Sequence, residues 1–88
     1  MAKVITWNEG EVLKGQVDKE ASKSEIEVEL SVLPITYQDF KNIRIIFDSD
    51  NTIEADILNN LKIMYPSWNI NLSNHIIEIK VVDSRSRL

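Results

Sequence analysis

One stretch of this chain, residues 52–64, is predicted to form a helix, because its apolar residues recur at helical spacing. Asn51 followed by Glu54 resembles a capping box, and Pro66 marks the end of the helix. Elsewhere apolar residues alternate with polar ones or are β-branched, which is typical of strands. The predicted helix would pack on a sheet through the stripe Ile53, Ile57, Leu58, Leu61, Met64 and Tyr65.

Six segments have strand character, and Glu25–Leu30 alternates most strictly. Residues 43–47 are predicted to form a central strand because they are β-branched and apolar at period two. The predicted fold class is α+β: a small, largely antiparallel sheet of five or six strands, one principal helix over about residues 52–64 and a C-terminal hairpin. The segments are Lys3–Trp7, Val12–Val17, Glu25–Leu30, Ile43–Phe47, Trp68–Leu72 and His75–Val82.

Both ends of the chain are predicted to form hairpins. Around Asn8-Glu9-Gly10, a two-residue loop pairs Trp7 with Val12, whereas a three-residue loop pairs Ile5 with Leu13, and the sequence leaves both registers open. At the C-terminal end, a two-residue loop at Ser73-Asn74 would place apolar residues of both strands on one face. The expected pairs are Leu72 with His75, Ile70 with Ile77 and Trp68 with Ile79.

The composition predicts a single domain over residues 1–88. Hydrophobic residues make up 43% and charged residues 27%, as in globular proteins. A chain of this size buries about 64% of its unfolded surface, enough for one core. The absence of cysteine excludes disulfides, thiolate nucleophiles and Cys-ligated metals. With no apolar run of leader or membrane-spanning length, we expect a cytoplasmic protein without a membrane partner.

The formal net charge of -4 is unevenly distributed. Residues 1–60 carry twelve acidic and six basic side chains, whereas residues 61–88 carry two acidic and four basic ones. An acidic field repels nucleic acid and attracts basic protein surfaces, which makes a protein the expected partner. The alternative is a charged surface that serves solubility only.

Acidic side chains supply the predicted partner-binding residues. In an extended segment, Glu25, Glu27 and Glu29 would form one outward row, which fits a basic partner. A solvated row that discourages edge-to-edge aggregation is the alternative. Asp48 and Asp50 are the further candidates for this surface.

The carboxylates from Asp48 to Asp56 have a spacing superficially like that of an EF-hand calcium loop. A loop begun at Asp48 would need Gly at its sixth position and Glu at its twelfth, where this chain has Ile53 and Asn59. Negative side chains near the start of a helix explain the cluster better. We therefore predict no metal and no cofactor.

His75 is the only histidine, and no sequence motif connects it with a nucleophile or an orienting carboxylate. Neither glycine belongs to a phosphate-binding motif. We therefore expect a structural histidine and no enzymatic activity. A small stacking and phosphate-binding surface is the nucleic-acid alternative, and it would use Trp68, Lys80, Arg85 and Arg87.

The second face of the predicted sheet carries Ile46, Ile76 and Val82. One helix cannot cover both faces of the sheet. The favoured solution is internal: the sheet curls or packs on its own N-terminal hairpin. The alternative is that these residues form an oligomer interface.

The leading functional hypothesis is a small non-enzymatic protein-binding module, such as an inhibitor, immunity-like or adaptor protein. It would act through the acidic strand face and a sheet edge. A structural homo-oligomeric subunit that uses the second sheet face is the first alternative. A small hydrolase-like or nucleic-acid-binding protein is the second.

Overall fold

The computed structural model describes residues 4–37, 39–49 and 52–82, which form five strands, two main helices and one short helical turn. The predicted α+β class is confirmed, although a second main helix accompanies the expected one. In chain order the elements are β1 (Ile5–Asn8), β2 (Leu13–Val17), α1 (Lys23–Ser31), the turn α2 (Leu33–Thr36), β3 (Asn42–Ile46), α3 (Glu54–Met64), β4 (Asn69–Ser73) and β5 (Ile76–Lys80).

The sheet is mixed, with strand order β1-β2-β3-β5-β4. β3 is central, as predicted; it pairs in parallel with β2 and antiparallel with β5. The two terminal hairpins add the outer antiparallel pairs. Parallel neighbours need a long crossover connection, which α1 and α2 provide.

The segment Glu25–Leu30 is helical, so the predicted strand was wrong. Ser22 caps α1: its hydroxyl accepts the Glu25 amide at 3.3 Å, and the Glu25 carboxylate accepts the Ser22 amide at 3.0 Å. This reciprocal pair is a capping box. Ile26 and Leu30, one turn apart, are buried, whereas Val28 is 69% exposed. A strand would have placed all three on one face.

Helix α3 starts at Glu54, two residues later than predicted, and it ends at Met64 as expected. Its N-cap is Ile53, which makes no side-chain cap, while Asn51 lies outside the described residues. Of the predicted stripe, Ile57 and Leu61 are buried; Ile53, Leu58 and Tyr65 pack partly against the core, and Met64 is exposed.

The N-terminal hairpin adopts neither predicted register. Ile5 lies opposite Val17, and Trp7 lies opposite Gly15. The longer loop between the strands, residues 9–12, accounts for the difference.

The C-terminal hairpin forms at the predicted place with its loop shifted by one residue, to Asn74-His75. Both loop residues have positive φ, 51° and 63°, as a type I′ turn requires. Leu72 therefore pairs with Ile77, and Ile70 with Ile79. The strand pairing is shifted by two residues from the predicted one, and a shift by an even number keeps the apolar residues on the core face.

Both main helices pack on one face of the sheet, where their buried residues join those of the strands in a single core. The N-terminal hairpin extends the sheet at its edge, so it does not cover the second face as expected. Among the described residues this open face is mostly polar and exposed. The core consists of Ile5, Leu13, Val17, Ile26, Leu30, Leu33, Ile43, Ile45, Phe47, Ile57, Leu61, Ile70, Ile77 and Ile79.

Candidate functional site

A shallow, open groove of about 340 Å³ lies between helix α1 and Val4, the residue directly before the edge strand β1. We call it the edge groove. Its walls combine apolar and acidic side chains with one hydroxyl. Among the described residues, β1 has a neighbouring strand on one side only. It is lined by Val4, Ser24, Glu25, Val28 and Glu29.

The helix wall of the edge groove follows from the periodicity of α1. Glu25, Val28, Glu29 and Val32 occur at positions i, i+3, i+4 and i+7, which form one stripe on a helix. Both valines are exposed, Val28 the more so. The stripe thus presents apolar surface flanked by two carboxylates that lie one turn apart.

Glu29 is held next to β1 by Trp7. The indole Nε1 of Trp7 donates to Glu29 Oε1 at 3.4 Å. Trp7 in turn packs on Tyr37, with ring centroids 5.2 Å apart. The edge strand and the helix therefore form one connected wall around the groove.

The electrostatics of the edge groove are those of an anionic site. The pKa of Glu25 is lowered, first by the hydrogen bond from the Ser22 backbone amide and then by the Ser22 hydroxyl, so Glu25 is ionised at neutral pH. Burial raises the pKa of Tyr37, and the nearby charges of Glu9 and Glu29 raise it further. Tyr37 therefore stays neutral beside the carboxylates.

Two of the five predicted partner-binding residues, Glu25 and Glu29, line the edge groove. Glu27 lies on another side of α1, where one carboxylate oxygen is buried without a hydrogen-bond partner. Asp48 follows β3 and does not line the groove, and Asp50 lies outside the described residues. The expected acidic row is therefore split by the helix.

His75 does contact a carboxylate. Its Nδ1 is 2.8 Å from Glu54 Oε1, and its carbonyl accepts the Phe47 amide at 2.9 Å. These bonds link the β4-β5 turn to the start of α3 and the end of β3. No hydroxyl group within the described residues is hydrogen-bonded to the imidazole ring.

The open sheet face brings together two of the three predicted oligomer residues. Ile46 and Ile76 are directly opposed across β3 and β5 and are half-buried, whereas Val82 lies beyond the end of β5 and is exposed. Charged side chains surround the isoleucine pair, including the ion pair between Arg44 and Glu78 at 3.4 Å. The apolar area on this face is therefore small.

Trp68 and Lys80, the two described residues of the nucleic-acid alternative, lie on different faces of the sheet. Trp68 stacks on Tyr65 at 4.0 Å between ring centroids, and Lys80 lies on the open sheet face. Arg85 and Arg87 lie outside the described residues.

The part of the chain that the structure describes contains no group of three or more His, Asp or Glu side chains placed to hold a metal ion. None of its helices has the length and apolar character needed to cross a bilayer.

Sequence reasoning missed the edge groove because α1 was interpreted as a strand. The signal that would have revealed it is Ser22 followed by Glu25, a capping-box pair directly before the segment. The helical spacing of Ile26, Leu30 and Leu33 supports the same interpretation. Comparison with protein-family models, with curated proteins and with solved structures returns no match.

Proposed function

We propose that this chain is a non-enzymatic protein-binding module that contacts a basic partner through the edge groove. The observation that carries the proposal is Val28, which is 69% exposed on the groove wall between Glu25 and Glu29. An apolar side chain in an exposed groove gains hydrophobic free energy when a partner covers it. The flanking carboxylates attract Lys and Arg side chains and increase the rate of encounter.

This proposal keeps the functional class expected from the sequence, an inhibitor, immunity-like or adaptor protein, and changes the surface that it uses. The acidic residues belong to a helix beside a sheet edge instead of a strand face. A hydrolase-like function has weaker support, because within the described part of the chain the His75–Glu54 hydrogen bond is the only contact that favours it.

The homo-oligomer alternative rests on the Ile46–Ile76 pair of the open face. Lys14, Arg44 and Lys80 lie on the same face. Glu78, the ion-pair partner of Arg44, lies there as well. A second copy docked on this face would bury a small apolar area and would remove charged side chains from water, which opposes association. The edge groove is therefore the better-supported surface.

Affinity capture from an extract of the native host tests the proposal with matched variants. The tagged wild-type chain is compared with Val28→Lys and with Ile63→Lys. Val28→Lys replaces the apolar side chain of the groove wall with a positively charged one. Ile63 is the matched control because it is an equally apolar residue, 76% exposed, on the other main helix. Circular dichroism checks that both variants remain folded.

The expected result is a protein retained by the wild-type chain and by Ile63→Lys, and lost with Val28→Lys. Its retention should weaken as salt concentration rises, since exposed charge pairs are screened. Equal retention by all three chains, or no specific protein at all, would reject the edge groove as the contact surface.

A further inference from the structure

We infer that the edge groove takes an extended segment of the partner, which adds a strand beside β1 and carries a Lys or Arg two residues away from an apolar residue. This inference rests on the proposed function and specifies the chemistry of the ligand. Three features of the groove support it: the backbone of β1, the direction of its side chains and the position of Glu29.

The backbone of β1 has hydrogen-bonding groups that point away from the sheet. The carbonyl of Val4 accepts the Asp18 amide at 2.8 Å, so Val4 directs its polar groups toward β2. Antiparallel strands alternate in this respect, and Thr6 therefore does the same. The amides and carbonyls of Ile5 and Trp7 consequently point outward from the edge, where an added strand can bond them.

The side chains of Ile5 and Trp7 lie on the face that α1 covers. A ligand residue directly opposite either of them shares that face and meets the stripe of α1. Opposite Trp7 it reaches Glu29, whose carboxylate already accepts the Trp7 indole, so a Lys or Arg fits there. Opposite Ile5, toward Val28 in the groove, an apolar side chain fits.

The spacing of two residues follows from strand geometry. Side chains on one face of a strand belong to alternate residues. An apolar residue and a basic residue that are adjacent in sequence would point to opposite faces, and only one of them would reach α1. The groove should therefore select ligands by the spacing of the apolar and the basic residue, and a positive charge alone should not be enough for binding.

At the opposite edge of the sheet, strand β4 packs on helix α3. The cavity on β4 and β5, of about 180 Å³, lies on the open face and is lined only by strand residues: Asn69, Asn71, Glu78 and Lys80. A second copy of this chain is also a poor ligand for the edge groove. Pairing β1 with β1 would bring its own Glu25 and Glu29 against those of the first copy.

The test uses two synthetic peptides of one composition, rich in Thr, with Val and Lys either two positions apart or adjacent. Each is titrated into the ¹⁵N-labelled wild-type chain, Val28→Lys and Ile63→Lys. Amide hydrogen exchange is then followed at Ile5, Trp7 and Thr6. Thr6 is the internal control, because its amide already points toward β2.

With the alternating peptide at saturation, exchange at Ile5 and Trp7 should slow by about tenfold or more, with no change at Thr6. The peptide with adjacent Val and Lys should bind about tenfold more weakly, the equivalent of one lost side-chain contact. Val28→Lys should lose binding of both peptides, while Ile63→Lys should bind like the wild type.

Equal binding of the two peptides would overturn the spacing. Binding without slower exchange at Ile5 and Trp7 would overturn the added strand. If neither peptide binds but the host extract still yields a protein that Val28→Lys fails to retain, the inference is rejected and the proposed function stands. If the extract yields no such protein, the proposed function itself is rejected.

Discussion

The six-membered ring of the Trp7 indole lies against the backbone of Gly15, its partner across the β1-β2 pair. A Cβ atom at position 15 would lie 2.6 Å from Trp7 Cζ3 and 2.8 Å from Ile5 Cγ2. Glycine is therefore the residue that lets the indole lie flat on β2. In this position the indole N–H reaches Glu29 and fixes one wall of the edge groove.

Gly15→Ala should lower the free energy of unfolding by about 1–3 kcal/mol, because the added methyl group overpacks the contact with Trp7. Urea denaturation followed by tryptophan fluorescence measures the change. Gly10→Ala is the matched control, since a Cβ there would meet only the Val12 carbonyl oxygen, at 3.9 Å. It should leave stability unchanged or raise it by about 0.4–1 kcal/mol. Equal losses in the two variants would contradict the close contact.

Ser22→Ala should destabilise the chain by about 1 kcal/mol through loss of the α1 N-cap. Ser24→Ala is the control, because among the described residues the Ser24 hydroxyl caps no backbone amide and bonds only the Ser22 hydroxyl. Urea denaturation of both variants at pH 7 checks the prediction. A loss that is no larger for Ser22→Ala than for Ser24→Ala would show that the capping box contributes little.

The capping box also predicts a pH dependence. The pKa of Glu25 is lowered in the folded chain, mainly by the Ser22 backbone amide and next by the Ser22 hydroxyl. Its stabilisation is therefore present above the unfolded pKa, about 4.3 for a free Glu, and is lost as the pH falls through the folded value. Glu25→Gln should reduce the decline in stability over this acidic range. An unchanged profile would contradict the assignment.

His75→Gly should behave differently in two backgrounds. His75 holds φ at 63°, which is unfavourable by about 1–2 kcal/mol for a residue other than glycine. In a Glu54→Ala background, His75→Gly should therefore stabilise the chain by about 1 kcal/mol. With Glu54 present the gain should be smaller by about 0.5 kcal/mol or more, because the His75–Glu54 bond is lost. Urea denaturation of the wild type, the two single variants and the double variant gives the coupling free energy between His75 and Glu54. Equal gains in stability from His75→Gly in both backgrounds would indicate no coupling.

The chain should be monomeric over a concentration series in light scattering, because the apolar area around Ile46 and Ile76 is small and the charged Arg44 and Glu78 lie beside it. Ile46→Lys should then leave the measured mass unchanged. A mass that rises with concentration in the wild type, and stays at that of the monomer in Ile46→Lys, would establish the open face as an oligomer interface.

Two capping-box patterns in the sequence had opposite outcomes. Asn51 with Glu54 predicts a cap for α3, but the Glu54 carboxylate bonds His75, far along the chain. Ser22 with Glu25, which was not predicted to cap a helix, caps α1. Local spacing alone could not separate the two, because a tertiary partner decides what the glutamate binds.

The alternation in Glu25–Leu30 was misleading for a related reason. Glu and Leu favour helices and Val28 is exposed, so the pattern fits a helix that buries only Ile26 and Leu30. The central strand and α3 were predictable because burial and periodicity agree there. The edge groove was not, since its two walls come from β1 and α1, whose contact depends on the Trp7–Glu29 bond between distant residues.

The parallel pairing of β2 with β3 is the ladder that joins the first hairpin to the rest of the sheet. Local opening of this ladder would release β1 and β2 as one unit and separate β1 from α1. A ligand that touches both walls of the groove binds only the closed form. Each increase in ligand concentration therefore raises the population of that form, and occupancy of the groove should be visible as slower exchange at those β2 amides that bond to β3.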